Sequence, residues 1–290
     1  MIVSLQSWLR TIFPARFRAS LRGLTERVQI QSILQAIKEQ GLSELYTQLT
    51  EIVPNIQYQY SGFELDTDYL RVNVRALHAF QIFLFEQALV LLRFDLTKKF
   101  TVVDIGDSAG THVQYLRKLH PNLHSLSVNS DKQAIDRIMQ KGLEALQVRA
   151  EDLQKCKISP DIFISFEMIE HLSNPILFLR SLSGISGSRA LIITVPYVAQ
   201  SRVGLDYIRT KRQTMASPES VHVFELCPAD WKLLFLFSGW KVLYERVYFQ
   251  YPRLSPLYLM KPYWRAIDFE GFYGAILIPD NTWSILYHED

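Results

Sequence analysis

Cysteine is nearly absent from this chain of 290 residues. The two that occur, Cys156 and Cys227, show no metal-ligand spacing and no obvious pairing. That excludes a disulfide-stapled scaffold and a thiolate metal site, and it fits a reducing, cytoplasmic setting. Charge of one sign is lacking as well. Thirty-one Lys and Arg offset 29 Asp and Glu to a net +2, so composition demands no polyanionic partner and nucleic acid is not expected. No stretch of about 20 apolar residues is present. The most apolar segment, Ala76 to Leu92, is broken by His78, Gln81, Glu86 and Gln87 and reads as a packed helix. A secretory leader is not expected either, because in Met1 to Arg10 the apolar stretch is short and the basic residue follows it. Repeats and low-complexity tracts are missing. With 48% hydrophobic residues the chain can bury a large core, divided here into an N-terminal helical extension over 1–96 and a main domain over 97–290.

What is present begins with Val102-Val103-Asp104-Ile105-Gly106-Asp107-Ser108-Ala109-Gly110-Thr111. A β-branched run ends in an acid and two glycines four apart, where the chain must turn sharply into a helix from about Thr111. Glycine there allows positive φ and close ligand approach, and the helix start offers N–H groups. A dinucleotide fingerprint fails, because Ser108 and Thr111 stand where its later glycines belong. An ordinary strand-to-helix turn and a nucleotide-cofactor loop both remain open on these residues alone.

Downstream, strand and helix patterns alternate at the length of βαβ units. Strands are expected over Leu123–Val128, Leu146–Arg149, Ile162–Phe166 and Ala190–Val195. Ser130 is the expected cap of a helix whose apolar face is Ala134, Ile135, Ile138 and Met139, and Asn174-Pro175 opens another. Such alternation argues for a parallel sheet buried on both faces. Asn129 falls at the carboxyl end of the second strand, where a side chain of a doubly wound sheet reaches a ribose; it carries no charge, so either the grip is weaker or Asp131 assists.

With Asp104, Gly106 and Gly110 in register with D-x-G-x-G-x-G, and Glu167-Met168-Ile169-Glu170-His171 after the fourth strand, residues 99 to 279 resemble a class I S-adenosylmethionine (SAM) dependent methyltransferase of the E-x-x-E-H branch. The resemblance extends to the type 11/23 methyltransferases and to the ubiquinone-pathway and small-RNA 2′-O-methyltransferases. It implies a Rossmann-like, doubly wound seven-stranded sheet with the last strand antiparallel, and a cofactor across the first two strands. Gly239-Trp240-Lys241-Val242 would lead into the sixth strand and Phe272–Ile278 would form the seventh. The residues implied to hold SAM are Asp104, Gly106, Ser108, Gly110, Asn129, Glu151 and Phe166.

The resemblance also implies chemistry. Glu167, Glu170 and His171 match the branch's metal ligands, and His222-Val223-Phe224-Glu225-Leu226 resembles the small-RNA enzymes' H-x-F-E-W, supplying His222 as a fourth. Two carboxylates and two imidazoles suit Mg²⁺, Mn²⁺ or Zn²⁺, and a cation can lower a hydroxyl's pKa and aim it at the sulfonium methyl. Without metal, His171 or His222 becomes the general base. His78, His112 and His120 read as packing or surface residues.

The rest of the sequence bears on partners. Short helices are expected over Ile30–Ile37 and Leu42–Leu49, parted by Gly41, and a long one capped by Asn73 to about Arg93. Tyr58, Tyr60 and Phe63 can line an acceptor pocket or pack on that helix. Residues 1–28 carry Arg10, Arg16, Arg18, Arg22 and Arg27 among Trp8, Ile12, Phe13, Phe17 and Leu21, a pattern that can lie on the inner face of an anionic membrane or form a solvated basic face kinked at Pro14. Tyr197, Arg202, Asp206, Tyr207, Arg209, Lys211 and Arg212 suit an acceptor with phosphate or carboxylate, and Tyr251–Phe269 with Trp264 suits a sugar ring. The expected activity is O-methylation of a small-molecule or saccharide acceptor. Its rivals are RNA ribose 2′-O-methylation and a catalytically silent binding or membrane-scaffold protein.

Overall fold

A computed structural model describes residues 15–60, 64–211, 221–262 and 269–286, with side chains from Thr25 onward. The basic and aromatic side chains of residues 1–24, with Phe63, Arg212 and Trp264, lie outside the described residues, as does the side chain of Asp206. Seven strands form one sheet: β1 Phe100–Ile105, β2 Leu123–Asn129, β3 Ala145–Gln147, β4 Ile162–Phe166, β5 Ala190–Pro196, β6 Trp240–Phe249 and β7 Gly271–Pro279. Their order is β3-β2-β1-β4-β5-β7-β6, and β7 runs antiparallel to both of its neighbours, β5 and β6. The expected mixed α/β sheet with an antiparallel last strand is therefore what the chain forms.

Helices cover both faces. On one side lie α1 Ala15–Glu39, α2 Ser43–Ile52, α3 Asp68–Leu91 and α4 Thr111–Leu119. There Ile33, Phe80, Phe85 and Tyr115 pack with Val102, Ile164, Ile192 and Ile276. On the other, α6 Pro175–Ser183 and α7 Pro228–Phe237 bring Phe178, Leu182, Trp231 and Phe235 onto Val103, Phe163, Leu191 and Leu277. Val102 and Val103 face opposite cores because successive strand side chains alternate. Each fully buried side chain of this kind is worth about 1.5–3 kcal/mol, so the stretch from Ile33 through α2 and α3 is bound to the sheet by a shared core. Helix α3 has the length and hydropathy of a spanning segment, yet 67% of its most apolar window is buried inside the protein.

Several boundaries depart from expectation. Helix α3 starts six residues early: Thr67 is extended and its hydroxyl accepts from the Leu70 N–H at 3.2 Å, which leaves Asn73 inside the helix. Helix α5 Lys132–Gln140 is capped by Asp131, not Ser130. Asn129 Oδ1 accepts from the Asp131 N–H at 2.8 Å, and this Asx turn moves the cap by one residue. Helix α1 is continuous through the region expected to hold a separate helix from Ile30, and β3 is shorter than expected.

Candidate functional site

The carboxyl ends of β1 and β4 lie side by side, since Val102 to Asp104 pair with Ile162 to Ile164. The turn after β1 is built by its own side chains. Asp107 Oδ1 accepts from the N–H groups of Ala109 (3.1 Å) and Gly110 (2.7 Å), and its Oδ2 accepts from the Ser127 hydroxyl (2.8 Å). Part of the donor set expected for a ligand is thus satisfied internally by a residue to which sequence reasoning gave no role. Gly106 and Gly110 have φ of 95° and 72°, in the region L side chains avoid. Both are also crowded: a Cβ on Gly106 would lie 2.7 Å from Met168 Cγ, and one on Gly110 would lie 2.6 Å from Leu143 Cδ1. Met168 therefore rests directly on the floor of the turn.

The other expected cofactor residues are placed unevenly. Ser108 is half-buried in the turn. Asn129 spends its amide on the protein, donating to Asp107 O at 3.0 Å and accepting from Asp131 N. Glu151 is half-buried at the start of a short 3₁₀ helix, Ala150–Lys155, 3.4 Å from the Arg149 guanidinium. Phe166 faces the core, edge-on to His112 with ring centroids 5.0 Å apart. Asp104 is also sealed, 1% exposed, with Oδ2 3.4 Å from His112 Nδ1. Burial, and then the Asp107 charge, push its carboxyl up to about 6.

After β4 the backbone is strained at Glu167, a non-glycine residue at φ 51°. The short turn Ile169–His171 that follows is tied to the segment ahead of β6 by the Val223 N–H donating to Glu170 O at 2.8 Å. This bond brings three of the four expected ligands together: one ligand atom each from Glu170, His171 and His222 lies within 4.8 Å of the others. Glu167 is not in this group, so the set is a trio among the described residues. Glu170 is 1% exposed and neither carboxylate oxygen has a hydrogen-bond partner. Burial raises its pKa, opposed by the nearby His222.

The imidazoles are oriented from outside the trio. His171 Nδ1 donates to Val221 O at 3.0 Å, and His222 Nδ1 faces Glu225 Oε1 at 3.4 Å. Glu225 also pairs with Arg202. Their rings meet edge to face at 4.7 Å, and Phe269 stacks on His222. An imidazole held through Nδ1 ligates through Nε2, the usual arrangement at a metal. A buried carboxylate lacking donors and two such imidazoles fit a divalent cation by donor type and count.

The expected acceptor residues are mostly used in packing. Arg209 donates to the carbonyls of Val203 and Gly204, and Tyr197 packs edge-on to Phe249. Tyr251 packs on Phe249 and Tyr258, and its hydroxyl donates to Glu270. A concavity of about 310 Å³ does open where the 52–60 segment meets the glycine turn and α5. Asn55, Tyr58, Gln59, Thr111, Arg137 and Lys141 line it, and Arg137 anchors the segment by donating to Tyr60 O at 2.8 Å.

Comparison with solved structures agrees with this topology. A protein from Galdieria sulphuraria described as a sarcosine dimethylglycine methyltransferase matches at a TM-score of 0.50 with 13% identity, over 73% of this chain and 88% of that one. The fold is that of the class I methyltransferases. The [4+2]-cyclase SpnF also matches, at a TM-score of 0.52 and 10% identity over 86% of this chain and 97% of that one. No family model and no curated protein matches the chain.

Proposed function

We propose that this chain binds SAM across the carboxyl ends of β1 and β2 and methylates a hydroxyl on a small-molecule or glycan-type acceptor. The observation that carries the reading is the contact of Met168 with Gly106, which sets the Glu170, His171 and His222 trio beside the glycine turn. An aliphatic hydroxyl is almost wholly protonated at neutral pH, so it needs both alignment with the methyl group and help in losing its proton. His171 and His222 supply basic nitrogens next to a buried carboxylate. A divalent cation held by the trio would supply Lewis-acid activation of the hydroxyl. Arg137 and Lys141 in the concavity favour an acceptor that carries an anionic group.

Calorimetry with SAM, followed by a manganese titration read by electron paramagnetic resonance, tests this reading in two stages. Heat with SAM and loss of free Mn²⁺ signal in wild type but not in Glu170→Gln are the expected results. Heat without manganese uptake leaves a metal-free methyltransferase in which a histidine is the base. A non-methylating use of the fold is the second reading, favoured by the Asn129 amide already committed to Asp107 and Asp131. Absence of SAM heat at any pH would favour it over the methyltransferase reading. Membrane contact through residues 1–28 is a separate proposal; equal pelleting with anionic liposomes before and after their removal would reject it.

A further inference from the structure

Beneath the glycine turn, between α3, α4 and the sheet, runs a polar chain inside an apolar core. Its donor and acceptor roles follow from one group that can only donate. The Arg75 guanidinium, 3% exposed, donates to the carbonyls of Leu49 and Val53 and to the Tyr115 hydroxyl. Tyr115 therefore has its proton available for His78 Nδ1, 3.3 Å away. His78 is thereby a neutral acceptor, and burial lowers its pKa well below the ordinary value. Its ring abuts His112 edge to face, with centroids 4.8 Å apart.

The same accounting at His112 leaves a conflict. The Gln81 amide donates to Thr194 Oγ1 at 3.0 Å, so its oxygen faces His112 Nε2, also at 3.0 Å. Nε2 must then carry the hydrogen. A neutral His112 would turn a bare Nδ1 lone pair toward Asp104 Oδ2, and neither atom has another hydrogen-bond partner. Two lone pairs cannot face each other in a dry interior without a cation between them. A metal ion is a poor occupant. The third member of the cluster, Asp107, already accepts two backbone N–H groups and the Ser127 hydroxyl, so a metal would gain only two uncommitted protein ligands. One proton satisfies both atoms.

We propose that Asp104 and His112 share a single proton, and that a cationic ligand seated over the glycine turn displaces it to bulk water. Asp104 stands two residues before Gly106, so the sulfonium and ammonium charges of SAM, on the cofactor reading above, favour the ionised carboxylate. His112 and Gln81 then act as positioning residues for capture of the cofactor. The groups against the pair are His78 and Gln81 from α3, Asp107 from the turn and Phe166 from β4; Tyr115 and Arg75 stand behind His78, and Thr194 of β5 behind Gln81. Lys141 contributes from the end of α5, where it donates to Ala109 O at 2.5 Å. Of these only Asp107, Arg75 and Lys141 bear charge, and none lies between the two partners.

Two measurements test the proposal. Calorimetry of SAM binding at pH 5.5 in buffers of different ionisation enthalpy should report about one proton released per SAM. Affinity should rise up to about tenfold per pH unit below pH 6 and level off by pH 8. In Asp104→Asn, whose amide can donate to Nδ1 in place of the shared proton, release should vanish and affinity should become flat with pH. SAM binding in the wild type with no proton exchange would overturn the linkage. The second measurement needs no cofactor: ¹⁵N-labelled histidine spectra should show His112 with Nε2 protonated and Nδ1 losing a proton as pH rises. A neutral Nδ1–H tautomer across pH 5 to 8, or selective broadening of His112 by Mn²⁺, would overturn the shared proton. Failure of SAM to bind removes the cofactor reading and the linkage together, while the histidine spectra still decide the pair.

Discussion

Two clusters of imidazole and carboxylate stand at the ends of adjacent strands, and they differ in what surrounds them. At β1, Asp104 and His112 are sealed, with side-chain exposures of 2% and 10%, and belong to a chain of buried donors reaching Arg75. At β4, Glu170 is equally buried but its partner His171 is 16% exposed and His222 is 21% exposed. A sealed cluster must be satisfied by the protein itself, so disturbing it should be felt in stability. A cluster with an open side can be completed by a ligand, so disturbing it should be felt in binding.

The largest expected effect is at the foot of the sealed chain. Arg75→Met strands the Val53 carbonyl and takes one of two partners from the Leu49 carbonyl and from the Tyr115 hydroxyl, which should cost about 3 kcal/mol in urea unfolding. A cost under about 1 kcal/mol would show that water enters and the cluster is not sealed.

The pH dependence comes next. The folded Asp104 value of about 6 lies above its ordinary 3.8. Its contribution is therefore whole below about pH 4 and is lost as pH rises through about 6. Asp104→Asn should match wild type near pH 4 and exceed it at pH 8 by on the order of 2 kcal/mol. His78, lowered instead, acts in the opposite sense: its contribution is present above its ordinary value and is lost as pH falls. Chemical denaturation of both proteins across this range separates the two, because His78 is common to them.

Smaller again, Asp107→Ala removes the acceptor for two N–H groups of the glycine turn and should cost about 1–2 kcal/mol in thermal or urea unfolding. At the open cluster, Glu170→Gln should change stability by less than about 1 kcal/mol while abolishing manganese uptake, since it replaces a carboxylate that has no donor in the fold. A large loss of stability there would erase the contrast between the clusters.

Much of this was legible in the sequence. Strand β4 falls where the run Ile162 to Phe166 puts it, and β1 ends where Asp104 and the glycines say it must, because strand formation and φ > 0 are local demands. Helix starts were read unevenly: those at Thr111 and at Asn174-Pro175 stand where expected, two others do not. Asn73 and Ser130 are sound caps by residue type, but Thr67 and Asp131 held the backbone geometry that a cap needs. Glu170, His171 and His222 were picked out by motif, and the fold joins them; Glu167, from the same motif, stands apart.

By itself, then, the sequence determined a doubly wound sheet and a tight turn after Asp104, since hydrophobic period and glycine placement act over a few residues. Only the tertiary structure decided which polar groups meet. Arg75, His78, His112 and Asp104 lie on three separate elements, and no periodicity encodes that a core will close over them. Nor could spacing reveal that Asp107 and Asn129 are spent on the turn itself, because a hydrogen-bond partner is fixed by where a folded backbone puts it.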